Sequence, residues 1–399
     1  MLRYPGTTLT IALHDAPEVE QALREVITGW SPVVAAPPPE AGAGSQVHCD
    51  ADGYSTRSGR LDEALTGLGL ASATCAVIAD LAEDFFETRP GCLARHCGAV
   101  RYNGRLIGMT GPARAGKSTL VARLSAETDM EIFCDDVLPM PDDGRAFALG
   151  IAPRLRLPLP AACSDAFRAH VLATIGPHDD RYGYLRAPTI APHGTRADLS
   201  VLLILDRREE GGATLHEVTE GAALRAVLAQ NISDLVTADA AYARMSDLLA
   251  NVTCLRLVYA DLEDAMALLR GAFGSDDMVA PGTVIHPARE TAPGTNLPAA
   301  QADPGLRWMQ DSGISLQERE GATFLWKIGT SMIWHMNAHA HAVWTMLEIP
   351  GSAVEIGEVV ALVFPGEDED RIVADVNALL QALAKAGMIV PAPEARAAT

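Results

Sequence analysis

The segment Gly111–Ser118 constrains this chain more than any other part of its sequence. It reads GPARAGKS, fits the pattern G-x-x-x-x-G-K-[ST], and lies between the apolar stretch Leu106–Met109 and a helical pattern that starts at Lys117. Glycines allow backbone N–H groups to surround phosphate oxygens, and the N-terminus of the following helix adds partial positive charge. The motif therefore predicts a strand, a loop and a helix that together bind the phosphates of a nucleotide.

The nucleotide expected at this loop is ATP, bound with Mg²⁺. Lys117 is expected to reach the β- and γ-phosphates, and the Ser118 hydroxyl is expected to ligate the cation. Arginine makes paired hydrogen bonds with phosphate oxygens, so Arg154, Arg156 and Arg181 are the best additional cations. The residues predicted to bind the nucleotide are Gly111, Ala115, Gly116, Lys117, Ser118, Thr119, Arg154 and Arg181.

Two adjacent aspartates form the second candidate site. Asp135 and Asp136 follow the apolar stretch Glu131–Cys134 and come 18 residues after Lys117, which leaves room for one helix, a turn and one strand. Near the phosphates, one carboxylate can hold Mg²⁺ together with Ser118, and the other can accept the proton of an attacking hydroxyl. Neighbouring side chains on a continuous strand point to opposite faces, which favours different roles for the two. A solvated turn is the alternative interpretation.

His96, fifteen residues before Gly111, is the remaining candidate catalytic residue. A single histidine is more often structural than catalytic. Cys92, His96 and Cys97 also suggest zinc, but no second pair of ligands follows at metal-binding spacing.

The charge and composition of the chain exclude several classes of partner. It has 51 Asp and Glu against 31 Lys and Arg, a formal net charge of −20, and no local cluster of basic residues. Such a surface repels nucleic acids and anionic membranes. The sequence lacks an apolar run of about eighteen residues and an N-terminal secretion signal. Its seven scattered cysteines are typical of free thiols in a reducing compartment. We therefore expect a cytoplasmic protein.

The alternation of strand-like and helix-like stretches predicts an α/β fold in four segments. Residues 1–90 are predicted as a small α/β segment, 91–275 as the core that contains the loop, and 276–311 as a linker rich in Pro, Ala, Gly and Thr. Residues 312–392 are predicted as a winged-helix-like domain of three strands and three helices. Its predicted elements are Ile314–Arg319, Thr323–Ile328 and Ser331–Met336, then Ala338–Leu347, Val354–Phe364 and Asp368–Ala386.

Two further patterns predict elements within the core. Asn103-Gly104 between apolar stretches predicts a tight β-hairpin, and the apolar run Leu199–Leu205 predicts a buried strand.

His96, the loop Gly111–Ser118 and the close pair Asp135–Asp136 resemble the catalytic core of HPr kinase/phosphorylase and its relatives. In other kinases with this loop, the acidic strand usually lies much further from the lysine. The resemblance extends over roughly residues 90–275 and implies a P-loop kinase core of the HPr kinase type.

This resemblance implies that Lys117 and Ser118 bind ATP and Mg²⁺, that the two aspartates share metal binding and general-base work, and that His96 lies beside the transferred phosphate. The chain departs from the family at Ala113-Arg114, where Ser-Gly is usual. It also lacks a clear counterpart of the C-terminal signature that serves HPr recognition and dephosphorylation. HPr kinase relatives are commonly oligomeric, which implies a homo-oligomer.

Residues 312–392 resemble PqqD-type peptide-recognition domains. The features that carry this resemblance are the wing GATFLWKIGTSMIWHM, the helix AHAHAVWTML and the terminal DVNALLQALAKAGMIV. Such domains bind the leader of a ribosomally made precursor peptide as a strand beside their third strand, with the third helix as the other wall. The resemblance implies a groove along Ser331–Met336 and Asp370–Lys385. The acidic start of that helix argues against insertion into a DNA groove.

Together, the two resemblances imply an ATP-dependent kinase that phosphorylates a Ser or Thr hydroxyl of a precursor peptide. Relatives in lasso-peptide pathways phosphorylate a serine. Two alternatives use the same residues. One is a kinase for free serine or another small hydroxylated metabolite, and the other is a nucleotide-gated chaperone that delivers a peptide without chemistry.

Overall fold

The computed structural model of the chain describes residues 1–36, 44–187, 189–230, 236–289, 303–363, 366 and 368–393. The chain divides into two compact units. The first comprises Met1–Val218, Ala226–Val236 and Arg244–Ala288, and the second comprises Thr219–Arg225, Thr237–Ala243 and Arg289–Thr399. Helices and strands are mixed throughout, which confirms the α/β class.

A six-stranded sheet and two helices form the N-terminal part of the first unit, with the strand order β3-β1-β2-β4-β5-β6. The elements are β1 (Leu2–Arg3), β2 (Ile11–His14), α1 (Pro17–Val26), β3 (Val33–Val34), β4 (Ser45–Asp50), β5 (Gly53–Arg57), β6 (Leu65–Leu68) and α2 (Leu70–Glu87). Pro17 begins α1, where its missing N–H leaves no bond unmade. The core of this region also contains Phe147 and Tyr184, so residues 1–90 share a core with later residues.

A seven-stranded sheet forms the centre of the first unit, with the order β10-β8-β9-β17-β19-β18-β20. From residue 93 to 178 the elements are β7 (Leu93–His96), β8 (Gly98–Tyr102), β9 (Arg105–Thr110), α3 (Lys117–Leu124), β10 (Met130–Cys134), β11 (Val137–Met140), β12 (Ala146–Phe147), β13 (Arg154–Arg156), α4 (Asp165–Thr174) and β14 (Ile175–His178). From residue 182 to 286 they are β15 (Tyr182–Leu185), β16 (Arg196–Ala197), β17 (Leu199–Arg207), β18 (Thr214–Glu217), α5 (Glu220–Leu228), α6 (Ala238–Leu249), β19 (Thr253–Tyr259), α7 (Leu262–Phe273) and β20 (Ile285–His286).

The predicted hairpin and the predicted buried strand are both confirmed. β8 and β9 pair antiparallel around Asn103 and Gly104, which have φ of 47° and 74°, as a tight hairpin turn requires. β17 is buried along most of its length and lies parallel to β9 and β19. This parallel arrangement directs the loop after β9 to the C-terminal edge of the strands, where ligands of α/β sheets commonly bind.

The second unit contains the predicted C-terminal strands and helices with slightly different bounds. Its elements are β21 (Trp308–Gln310), β22 (Ile314–Arg319), β23 (Ala322–Lys327), β24 (Trp334–Met336), α8 (Ala338–Met346), α9 (Ala353–Val363), α10 (Glu369–Lys385) and β25 (Ile389–Pro391). The strand order is β22-β23-β24, and β21 pairs separately with β25. The third strand begins at Trp334 rather than at the predicted Ser331.

The predicted linker 276–311 is partly structured. β20 pairs with β18, and β21 pairs with β25, so both ends of the segment contain strand. Residues 290–302 of the linker lie outside the described residues. Within the described ranges, no helix is long and apolar enough to cross a membrane.

Both faces of β23 are buried in the second unit. Leu325 packs into the cluster formed with α8, α9 and α10. On the other face, the Trp326 indole N–H donates to Asp239 Oδ1 at 2.8 Å, and the Tyr242 ring lies 4.9 Å from the Trp326 ring. The backbone N–H of Ala238 also donates to a carbonyl in the turn that follows β23. The start of α6 therefore completes this side of the sheet.

Replacing Asp239 should destabilise the second unit. Trp326 is 3% exposed, so Asp239→Ala leaves its N–H buried without an acceptor and should lower the free energy of unfolding by about 1–3 kcal/mol. Asp239→Asn keeps an acceptor and should cost less than half as much. Denaturant unfolding followed by tryptophan fluorescence measures both effects. Equal losses in the two variants would contradict the proposed role of this hydrogen bond.

Candidate active site

The predicted phosphate-binding loop lies between β9 and α3, as expected. Arg114 and Gly116 have φ of 67° and 90°, in the left-handed region. A Cβ at Gly116 would lie 2.5 Å from the Tyr259 hydroxyl oxygen, and that hydroxyl donates to the Ala115 carbonyl at 2.9 Å. Glycine is therefore required at Gly116 for both conformation and space. Tyr259, at the end of β19, was not predicted from the sequence.

Lys117, the first residue of α3, is almost fully buried beneath the loop. Its ammonium donates to the carbonyl oxygens of Gly111 at 2.7 Å and Pro112 at 3.3 Å. Burial lowers the pKa of Lys117, while Cys97 and Asp136 act to raise it. Lys117 and Asp136 thus lie within electrostatic range, so the structure brings together the two predicted sites.

The two aspartates lie at a bend between β10 and β11. β10 pairs with β8, whereas β11 pairs with β7, so the strand does not continue through Asp135 and Asp136. The expectation that their side chains point to opposite faces of one strand therefore does not apply. Asp135 is 6% exposed, whereas the Asp136 side chain is 47% exposed. The alternative of a simple solvated turn does not fit Asp135.

Asp135 is held by the backbone of the next segment. The Arg154 backbone N–H donates to its Oδ2 at 2.8 Å. Burial, followed by the charge of Asp136, raises the pKa of Asp135 to about 7. A carboxylate with such a pKa can exchange a proton near neutral pH.

Asp136 forms the contact that places His96 in the site. His96 Nε2 lies 3.0 Å from Asp136 Oδ1, and Arg154 Nη2 lies 3.7 Å from Asp136 Oδ2. The hydrogen bond with His96 holds the pKa of Asp136 below its ordinary value, and Arg154 and Lys117 act in the same direction. Asp136 is therefore ionised and Asp135 is the protonatable member of the pair.

The two arginines predicted as phosphate ligands are placed differently. Arg154 lies beside the two aspartates, and its guanidinium contacts the Cys75 thiol and lies 4.9 Å from the Tyr182 ring centroid. Arg181 is exposed before β15, where its guanidinium lies 5.7 Å from the same ring. Cys75 comes from α2 and could not be predicted, because only tertiary packing brings α2 to this site.

The residues present fit a nucleotide with a divalent cation. The Ser118 hydroxyl lies in the first turn of α3, and hydroxyl and carboxylate oxygens are the ligands that Mg²⁺ prefers. Among the described residues, no group of three or more His, Cys, Asp and Glu side chains could hold a metal by itself.

A narrow cleft adjoins the N-terminus of α3. Gly116 and Thr119 line it on the loop side, and Cys163, Arg207 and Tyr259 line it on the other. Thr119 was predicted to bind the nucleotide, whereas the remaining wall could not be predicted from the motif.

A candidate peptide groove lies in the second unit. β24 pairs with β23 on one side only, and within the described residues no strand pairs with its other edge. Its His335 is packed against Phe324 at 5.8 Å between ring centroids, and burial lowers the pKa of His335 to about 4. The placement of a leader between β24 and α10 stays a prediction.

The raised pKa of Asp135 has a consequence for stability. Between about pH 4 and pH 7 the folded protein keeps a proton on Asp135 that the unfolded chain has released. The stability that this proton contributes is therefore fully present below pH 4 and is lost as pH rises through 7. Asp135→Asn should therefore gain stability relative to wild type by roughly 1–3 kcal/mol over that interval.

Urea unfolding at several pH values measures this difference. Asp129→Asn is the matched control, because Asp129 is an exposed partner of Arg270. A stability difference between Asp135→Asn and wild type that does not change with pH would contradict the assignment.

Comparisons with known proteins concern the second unit. No curated protein matches the sequence. Among solved structures, the chain is similar to one described as TbiB1 in complex with the TbiA(beta) leader peptide, with 16% identity, a TM-score of 0.20, and coverage of 22% of this chain and 99% of that chain. Residues 323–389 match the family model described as coenzyme PQQ synthesis protein D (PqqD). The second unit therefore carries a PqqD-like domain.

Proposed function

We propose that this protein is an ATP-dependent kinase that transfers the γ-phosphate of ATP to a Ser or Thr hydroxyl of a ribosomally made precursor peptide. The leader of that peptide is captured by the PqqD-like domain. The observation that carries the kinase half is the approach of Asp136 to both His96 and the loop residue Lys117. A loop that only turns a strand into a helix has no need of this charged cluster.

The kinase reaction requires a base, and Asp135 has the suitable pKa. Its Oδ2 is held by the Arg154 N–H. Asp135 would accept the proton of the peptide hydroxyl as the hydroxyl oxygen bonds to the γ-phosphorus and the bond from that phosphorus to the bridging oxygen breaks, which releases ADP. Proton transfer by a group whose pKa lies near the working pH is efficient.

Asp136 has a different role, because it stays ionised. A carboxylate must be ionised to ligate a cation, so Asp136, together with the neutral Ser118 hydroxyl, would hold Mg²⁺ on the phosphates. The cation supplies neutralisation of phosphate charge. His96 orients Asp136 through their 3.0 Å contact, and Lys117 turns from the loop carbonyls toward the phosphates.

The peptide half of the proposal is supported by the PqqD match and by the outer edge of β24, with which no strand of the described part of the chain pairs. A leader that adds to this edge gains backbone hydrogen bonds. Because leader and core are one chain, leader capture raises the effective concentration of the acceptor hydroxyl. A weakly bound core can therefore be phosphorylated at low peptide concentration.

The test of the kinase half is incubation with Mg-ATP and a precursor peptide encoded beside the gene, followed by intact-mass measurement. Wild type should add one phosphoryl group. Lys117→Ala and Asp135→Asn should each slow this by at least about a hundredfold, because each removes a transition-state interaction. Asp129→Asn, outside the site, should react as wild type does.

Two further arms of the same assay separate the alternatives. Free serine should give negligible turnover, and turnover comparable to that of the peptide would favour a metabolite kinase. If ATP and peptide both bind but no phosphopeptide appears, the protein is a nucleotide-gated chaperone.

Leader capture predicts a different rate for peptides with and without a leader. At low concentration, the full precursor should react at least about tenfold faster than the core alone. Free leader should inhibit the full precursor and leave the core-only reaction unchanged. Hydrogen exchange should slow at Trp334–Met336 of β24 on leader addition but not at Ile314–Arg319 of β22, the opposite edge of the same sheet. Equal protection of both edges would rule out the proposed groove.

A further inference from the structure

The first unit contains a cavity that the proposed kinase chemistry does not use. Its volume is about 350 Å³, within the range of small-ligand sites. Its lining includes Phe85, Arg89, Cys92, Asp142, Phe147 and Arg196, and none of these residues belongs to the loop or to the aspartate pair. The Asp142 carboxylate is paired with Arg244.

The cavity wall contains two aromatic rings and two cations, and Phe85, which lies beneath Arg89, has no exposed surface. The rings of Phe85 and Phe147 lie 5.2 Å apart. The guanidinium of Arg89 lies 3.9 Å from the Phe85 centroid, and that of Arg196 lies 5.7 Å from the Phe147 centroid. The cavity thus combines an apolar surface with positive charge.

Arg89 is the cation without a carboxylate partner. Its Nη1 donates to the Phe85 carbonyl at 3.1 Å and the Thr88 hydroxyl at 2.9 Å. Arg196, by contrast, pairs with Asp143. Among the described residues, no carboxylate lies within ion-pair distance of Arg89, whose pKa is lowered by burial.

A second buried arginine adds to the positive charge of this region. Arg95 is 3% exposed, and its Nε and Nη2 have no hydrogen-bond partner among the described residues. Arg244 repels it and donates to the carbonyls of the cavity residues Gly91 and Pro141. Arg95 Nη1 donates to the Val227 carbonyl at 3.2 Å, and Arg244 pairs with Asp142, so Arg89 is the cation of the cavity lining that an anion would compensate.

We propose that this cavity binds a small organic anion. The apolar body of the ligand packs on Pro90, Pro141 and Phe147, and its carboxylate or phosphate accepts hydrogen bonds from Arg89. A neutral apolar ligand would leave the Arg89 charge without an anionic partner, and inorganic phosphate would leave the apolar lining uncovered.

The cavity is connected to the aspartate pair through one β-ladder. β7 and β11 pair from Leu93 with Met140 to His96 with Val137. Cys92 and Pro141 at the first end line the cavity, and His96 and Asp136 meet at the other. Four pairs span roughly 10 Å.

Calorimetric titration of the full chain with naphthoate tests the binding. Wild type should bind naphthoate about tenfold more tightly than the neutral isostere naphthamide, because a charge-assisted hydrogen bond to Arg89 is lost with the amide. Arg89→Gln should remove this preference. Arg24→Gln should keep it, because Arg24 is an exposed residue of α1 that pairs with Glu20.

Equal binding of naphthoate and naphthamide to wild type would overturn the proposal, and so would an unchanged preference for naphthoate in Arg89→Gln. Loss of naphthoate binding in Lys117→Ala would also overturn it, because that result would place the anion at the phosphate loop. The comparison of the two ligands on wild type needs no variant and stands even if Arg89→Gln does not fold. Because the titration measures binding and not turnover, its result can be interpreted even if the protein proves not to be a kinase.

Discussion

Between Cys134 and Val137 the backbone leaves one strand pairing and enters another, and the rest of the site depends on this change of partner. β10 is bonded to β8, and β11 is bonded to β7, so the backbone turns at Asp135 and Asp136. The Cys97 N–H donates to the Asp136 carbonyl at 3.0 Å and fixes this turn from the facing strand. A slip of one residue in either ladder would reverse the side-chain directions, and Asp136 would then lose both His96 and the electrostatic influence of Lys117.

The features predicted correctly from the sequence are those determined by residues close together in the chain. The loop before α3, the turn at Asn103 and the winged-helix-like elements all depend on local glycine geometry and apolar spacing. The contact of His96 with Asp136 requires pairing of strands forty residues apart in the chain, and the bond from the Arg154 N–H requires β13 to pass nearby. β4 and β6 were not predicted, because SQVHCD and LTGL lack a regular apolar alternation.

The net charge of this protein is negative, whereas the charged groups at its candidate sites include several buried or half-buried cations. The chain has a net charge of −20, yet buried or half-buried cations gather at the loop, at the aspartates and around the aromatic cavity. Long-range attraction would therefore not assist the proposed binding of phosphates or other anions, because the overall field repels them. Such binding would depend on short-range donors, as at the buried Lys117 and the half-buried Arg89.

The side of β23 that carries Trp326 is closed by Asp239 and Tyr242, from a segment that precedes the PqqD-like region by many residues. The PqqD-like region thus depends on residues outside it to bury one side of its sheet. If this region were excised at residue 312, the Trp326 side of β23 would lose its cover and an apolar surface would be exposed. If the region were replaced by that of another protein, the new strand would have to fit Asp239 and Tyr242. The buried Trp326 N–H has its acceptor at Asp239, outside the C-terminal region, so a comparison limited to that region would miss one half of the pair.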